Sequence, residues 1–221
     1  MNGVRFMYVL RDVEGIRQIT DDGLQYIIVP DDVVEIGEKA FASGLLIKEV
    51  LLPDSMRKIS NNAFEDCIRL EKMFFNDGIE YIGEDAYEGC KSLKELSIPD
   101  SVTFIGDGAF RFCENLESVD LPYWLEKIGA FTFFNCHKLK RVVLPGFLKK
   151  IGRCAFTYCS ELEEIIIPNS VNEIGEDAFR YCEKLSLIYL DNPVLLCGTA
   201  YRGNAKILPL KEAEKNHISG R

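Results

Sequence analysis

The sequence predicts a mainly β solenoid, with a parallel sheet, short second strands and single helical turns. Three unrelated residue types keep one period of 23 residues. Six of the eight cysteines, Cys67, Cys90, Cys113, Cys136, Cys159 and Cys182, fall on it. So do Pro30, Pro53, Pro99, Pro122, Pro145 and Pro168, with Asn76 in the one empty slot. Gly37, Gly83, Gly106, Gly129, Gly152 and Gly175 do the same, with Ser60 in the gap. A period kept without insertion marks a tandem repeat, and repeats of this length stack into solenoids.

Each position of the repeat has a physical reading. The consensus runs Leu-x-x-Ile-x-Ile-Pro-x-x-Val-x-x-Ile-Gly-x-x-Ala-Phe-x-x-Cys. One copy is Leu93, Leu96, Ile98, Pro99, Val102, Ile105, Gly106, Ala109, Phe110 and Cys113. Alternation over 93–98 puts Leu96 and Ile98 on one face and Glu95 and Ser97 on the other, which is a strand. Pro99 ends it, because proline has no N–H for the ladder. Val102 to Ile105 reads as a shorter strand, and Ala-Phe-x-x-Cys as one helical turn. The glycine column points to a tight turn or a close approach of neighbouring coils. Phe41, Phe64, Tyr87, Phe110, Phe133, Phe156 and Phe179 form one aromatic column. Stacking such coils buries residues that no coil can bury alone. Eight coils at the parallel-strand spacing give a rod or arc roughly 35–40 Å long.

These residues closely resemble the BspA-like bacterial leucine-rich repeats. The resemblance covers residues 24–190, about seven repeats of 23 residues with one further strand near Leu185 to Leu190. The commoner leucine-rich pattern carries Asn or Cys eight residues after the first Leu. Here that slot holds Ser55, Gly78, Ser101, Trp124, Phe147 and Ser170, so no asparagine ladder is expected. The resemblance implies a parallel-sheet solenoid with an interaction role, often at the cell surface of bacteria or parasitic protists. It implies no catalytic residue.

The flanks depart from the repeat. Residues 1–23 read as an N-terminal capping hairpin, with strands at Val4 to Leu10 and Ile16 to Thr20. Residues 191–221 read as a C-terminal cap and tail. Asn192-Pro193 breaks the coil, Val194 to Cys197 can pair once more, and a short helix or frayed end follows from Lys211.

Composition narrows the function. The chain is 47% apolar, enough for a continuous core, and no linker divides the repeats. A net charge of −9 argues against nucleic acid. The basic stretch Lys138, Lys140, Arg141, Lys149, Lys150 and Arg153 lies between acidic coils and reads as a solvated face. Parallel cysteine columns are poorly oriented for disulfides, so free buried thiols are expected. No paired CxxC suggests zinc, and no metal or cofactor is expected. His137 and His217 are the only histidines, and His137, at a position that varies between coils, reads as a surface residue. No phosphate loop, nucleophile elbow or zinc-protease motif occurs, so the chain reads as non-enzymatic. Met1 to Leu10 lacks a signal-like apolar core. No segment has the roughly 20 apolar residues of a membrane span, so no membrane insertion is expected. Cytoplasmic residence and export with a targeting segment elsewhere both fit.

Variation concentrates on the outward sheet positions. One column reads Ile28, Leu51, Phe74, Ser97, Asp120, Val143, Ile166 and Tyr189. Its neighbour reads Tyr26, Glu49, Lys72, Glu95, Ser118, Arg141, Glu164 and Leu187. Strand propensity alone favours apolar residues there. The functional reading is a protein- or peptide-binding face built from Tyr26, Ile28, Leu51, Phe74, Val143, Ile166 and Tyr189. On that reading the chain is a monomer. The alternative is a structural or self-assembly element of a larger surface protein.

Overall fold

The structure, a computed structural model, describes residues 8–10, 17–19, 25–196, 200–201 and 203–217. Two strands precede the repeats, β1 (Tyr8–Leu10) and β2 (Arg17–Ile19). Seven coils each add two strands, the second shorter in all but the first coil. These are β3 (Gln25–Ile28) with β4 (Val33–Ile36), β5 (Ile47–Leu51) with β6 (Lys58–Ile59), and β7 (Lys72–Phe74) with β8 (Tyr81–Ile82). Next come β9 (Glu95–Ser97) with β10 (Phe104–Ile105) and β11 (Ser118–Asp120) with β12 (Lys127–Ile128). β13 (Arg141–Val143) with β14 (Lys150–Ile151) and β15 (Glu164–Ile166) with β16 (Glu173–Ile174) complete the set. β17 (Leu187–Tyr189), a 3-10 turn (Pro193–Leu196), β18 (Lys206–Leu208) and helix α1 (Leu210–His217) close the chain.

The strands pair parallel in a register that repeats the sequence period. Glu49 faces Lys72, Val119 faces Val142, and Ile36 faces Ile59. The mainly β parallel solenoid is therefore the fold. Each proline carbonyl closes a turn by accepting the amide three residues on, as Pro99 does from Val102 at 3.0 Å. Asn76 substitutes for proline by a different route. Its Oδ1 accepts the Gly78 amide at 2.9 Å, a side-chain turn, and its Nδ2 donates to the Pro53 carbonyl of the preceding coil.

The glycine column answers to close approach. A Cβ on Gly106 would lie 2.4 Å from the Glu84 amide nitrogen of the preceding coil, and one on Gly175 would lie 2.4 Å from that of Arg153. Neither glycine is among the positive-φ residues. Ser60 fits where it stands over Gly37, with its hydroxyl donating to Glu35 Oε1 at 2.6 Å.

The expected helical turn at Ala-Phe-x-x-Cys does not form. Each of the seven coils instead places two residues in the left-handed region, just before the Ala and just before the Cys positions. In the third coil these are Asp85 (φ 51°) and Gly89 (φ 69°). Such reversals cannot propagate a helix. They turn alternate amides out of the coil. Asp85, Tyr87 and Gly89 donate to the carbonyls of Asp107, Ala109 and Arg111 in the next coil, at 2.8–3.0 Å. The amides between them close local turns, as Glu88 does onto Asp85 and Cys90 onto Tyr87. A third inter-coil ladder therefore runs beside the two made by strands.

The core lies inside these three ladders. The aromatic column stacks from Phe41 to Phe179 with centroids 5.1–5.7 Å apart and ring planes within 15°. The seven described cysteines are free, and the six in the column are buried. Each column thiol donates to the carbonyl of the aromatic residue one coil back, as Cys90 Sγ does to Phe64 at 3.2 Å. That carbonyl also accepts the Cys67 amide at 3.1 Å. The thiol thus satisfies a second lone pair of a carbonyl inside the core, which a methyl group could not do. Burial pushes the thiols of Cys90, Cys113, Cys136, Cys159 and Cys182 up, Cys182 to about 12.

The ends differ from the sequence reading. β1 and β2 do not pair as a hairpin. β1 lies parallel to β4, and β2 antiparallel to β3, so each covers the open edge of one ribbon. Residues 1–7, 11–16 and 20–23 of the expected cap lie outside the described residues. At the other end Pro193–Leu196 turns as a 3-10 segment, and Cys197 lies outside the described residues. The extra strand is β18, parallel to β17. The helix expected after Lys211 is α1, whose Leu210 amide donates to Asp191 Oδ1 at 2.9 Å. The Phe179 amide of the last coil donates to Ala200.

Three outcomes follow. Phe110→Ala is expected to cost roughly 3–5 kcal/mol in denaturant unfolding, because the ring is fully buried between Tyr87 and Phe133. Tyr87→Phe should stabilise by about 1 kcal/mol, since the buried Tyr87 hydroxyl has no hydrogen-bond partner among the described residues. A thiol whose folded pKa is raised contributes stability that is complete below its unfolded value of about 8.5. That stability is lost as pH rises toward the folded value. Melting temperature should accordingly hold steady at neutral pH and fall above about pH 8.5. The fall should be shallower in Cys182→Ala.

Candidate interaction surface

The inward columns are fully committed to the core, so the outward surfaces carry whatever this chain recognises. On the main sheet, Ile28, Leu51 and Phe74 stand directly opposite one another across β3, β5 and β7. They are 45%, 50% and 46% exposed and form one apolar strip over three coils. Tyr26, half-buried, lies in the adjacent column beside the Glu49–Lys72 ion pair at 3.8 Å. Val143 and Ile166 are also exposed, three coils further on, with Ser97 and Asp120 interrupting the column. The structure thus divides the expected face into two patches.

Tyr189 is not part of either. It is 1% exposed. β18 extends the sheet beside β17 with Leu208 facing Tyr189, and α1 lies against β17. The C-terminal cap therefore converts an outward sheet position into a core position. A sequence column cannot reveal this, because the covering strand is not a repeat.

The basic stretch is a set of inter-coil rungs. Lys140 pairs with Glu117 at 3.1 Å, Lys149 with Glu126 at 2.6 Å and Lys150 with Glu173 at 2.6 Å. Exposed pairs of this kind contribute at most about 1 kcal/mol each, and they cancel the charge an anion site would need. Arg141 has no ion-pair partner among the described residues, and Arg153 lies over the Phe131 ring at 4.8 Å.

Two aromatic groups lay outside the sheet-face reading. Phe112, Phe131, Phe134, Tyr158 and Tyr181 form a continuous ribbon on the turns of four coils, with neighbouring centroids 4.6–5.7 Å apart. All but Phe134 are left-handed. Arg111, beside this ribbon, pairs with Asp85 and Glu88 at 2.9 and 2.7 Å. Burial lifts both carboxyls above their ordinary range, and the guanidinium offsets part of that. The second group is Tyr123, Trp124 and Phe147, at the ends of β11 and β13. Centroids lie 4.8–5.3 Å apart, and all three are exposed. Tyr123 lines an open groove of ≈ 550 Å³ over Ser118, Asp120, Arg141 and Val143, and Trp124 and Phe147 adjoin Tyr123 outside that lining. The sequence carried a signal for both groups: apart from Phe134, these aromatic residues occupy slots that hold Ser, Asn, Asp or Gly in other coils.

The comparisons with known proteins agree with this architecture. A leucine-rich cell surface protein of Faecalibacterium prausnitzii A2-165 superposes with a TM-score of 0.70 at 29% identity. The match covers 81% of this chain and 54% of that one, so this chain spans about half of that relative's length. The leucine-rich repeat protein of T. pallidum gives a TM-score of 0.55 at 27% identity, over 66% of this chain and 86% of that one. The pneumococcal vaccine antigen PcpA shares the fold, with a TM-score of 0.56 at 21% identity over 83% of this chain and 41% of that one. No curated protein matches the chain. The family model for the BspA type leucine-rich repeat region matches in six copies over residues 20–123 and 80–205, and with the 23-residue coils and buried Phe and Cys columns this makes the chain a member of that family.

Proposed function

We propose that this chain is a non-enzymatic interaction module that binds a protein or peptide through the outward face of its main sheet. The observation that carries the reading is the strip Ile28, Leu51 and Phe74, three large apolar side chains about half exposed and directly in register. Solvent-facing positions of an open sheet are ordinarily mixed or polar. A contiguous apolar strip rimmed by charge is the usual form of a protein contact. Phe74 is its aromatic anchor, with Tyr26 beside it, and Val143 and Ile166 form a second contact further along. A setting at a bacterial cell surface is supported by the Faecalibacterium relative, which is described as a cell surface protein. The partial coverage of that relative also supports a second reading, a structural or assembly element within a longer surface protein.

The test compares wild type with Leu51→Ser/Phe74→Ser in pull-down mass spectrometry on the source organism, with Glu163→Ser/Glu176→Ser as a control at exposed positions. The face variant should lose the captured partner and keep its melting temperature within a few degrees, since both side chains are half in solvent. Light scattering separates the two readings. A monomer favours the binding module, and concentration-dependent oligomers that the face variant abolishes favour assembly. Partner capture lost in the control and kept in the face variant would move the contact to the turns.

A further inference from the structure

We propose that the groove over β11 and β13, which shares Val143 with the sheet face, takes a neutral pyranose oligosaccharide on Tyr123 in its lining and on the adjoining rings of Trp124 and Phe147. The three rings are 51%, 55% and 43% exposed. The repeat does not need them, because the slot of Trp124 and Phe147 holds serine in three other coils. They are also held in place. Tyr123 meets Trp124 at 88° and Phe147 at 70°, edge-to-face contacts that orient the rings without burying them. The Tyr123 amide donates to Asp100 Oδ1 at 2.8 Å. Pro122 and Pro145 close the two turns onto Leu125 and Leu148. Ordering cost on binding is therefore small.

The floor of the groove selects the ligand class. Asp120 supplies acceptors, Arg141 donors and the Ser118 hydroxyl both. All three are exposed and have no side-chain partner among the described residues. A sugar presents an apolar C–H face to the rings and a rim of hydroxyls that each donate and accept. One ligand thus satisfies both signs of charge. An apolar protein surface would bury Asp120 and Arg141 without partners, which is costly for charged groups. A basic peptide would answer Asp120 but meet Arg141 as a like charge. β11 is hydrogen-bonded to β9 and β13 on both sides, so a peptide cannot add there as a strand. The groove is shallow and open, which suits a ring laid flat and offers no deep pocket for a side-chain anchor.

Trp124 is the only tryptophan and its ring meets Tyr123 at the groove with centroids 4.8 Å apart, so its fluorescence reports on this site. The full chain is titrated with cellohexaose, mannohexaose, xylohexaose and maltohexaose, and separately with a lysine-rich decapeptide. At least one hexasaccharide should change Trp124 emission saturably, with heat detected by calorimetry. Trp124→Ala should weaken that calorimetric affinity by about tenfold or more. Asp120→Asn should weaken it several-fold, and Asn172→Ala should leave it unchanged. All three positions are exposed, and melting curves verify folding. If Trp124→Ala melts early, Asp120→Asn decides. The proposal is overturned if no hexasaccharide binds at millimolar concentration, if both variants bind as wild type does, or if only the decapeptide binds.

Discussion

The hydrogen bonding between coils is the constraint on which the rest of this molecule depends. In the strip that contains the aromatic residue, three alternate amides of coils one to six point toward the next coil, and three alternate carbonyls of coils two to seven point back. Asn62, Phe64 and Asp66 donate forward to Glu84, Ala86 and Glu88, while the carbonyls of Asn61, Ala63 and Glu65 accept from Lys39, Phe41 and Ser43. No coil can satisfy its own backbone here, and unmet buried groups are costly. The strip thereby fixes the spacing of the coils. The glycine column allows that spacing, and the aromatic and cysteine columns fill the space it encloses. Only an uninterrupted 23-residue period keeps all of these aligned.

The same constraint explains the unusual backbone. Pointing alternate amides one way requires left-handed residues, which cost a non-glycine side chain about 1–2 kcal/mol each. Asn, Asp and Gly bear this most easily, and they occupy several of the positions. Phe112, Phe131, Tyr158 and Tyr181 do not, yet they sit in the same conformation. Their rings recover part of the cost by contact with one another and with Arg153 and Arg180, at 4.8 and 4.7 Å.

Because every inward position is held by a column, only the outward sheet face and the turns are free to vary from coil to coil. The outward residues can change from coil to coil without disturbing the ladders. That separation lets one rigid scaffold present an apolar strip over coils one to three and an aromatic platform with a mixed-charge groove further along. The Lys–Glu rungs between coils, such as Lys184–Glu161 at 2.6 Å, keep the remaining surface charge-balanced locally while the chain as a whole stays acidic.

The sequence by itself determined the solenoid, its period, the inward columns and the positions of the strands. A local pattern repeated seven times reports which residues face inward, and stacking turns that into the fold. Free, buried cysteines followed from the same column logic. Tertiary structure alone decided what the repeat could not encode. The Ala-Phe-x-x-Cys segment reads as a helical turn locally, but its amides are claimed by the neighbouring coil, so it winds through left-handed residues instead. The first two strands look like a hairpin in isolation, but each finds an open ribbon edge to cover. Tyr189 belongs to an outward column, but β18 and α1 fold over it. Tyr123, Trp124 and Phe147 are separated by up to a full period in the chain. They become one surface only because stacking sets residues 23 apart side by side, about one strand spacing away.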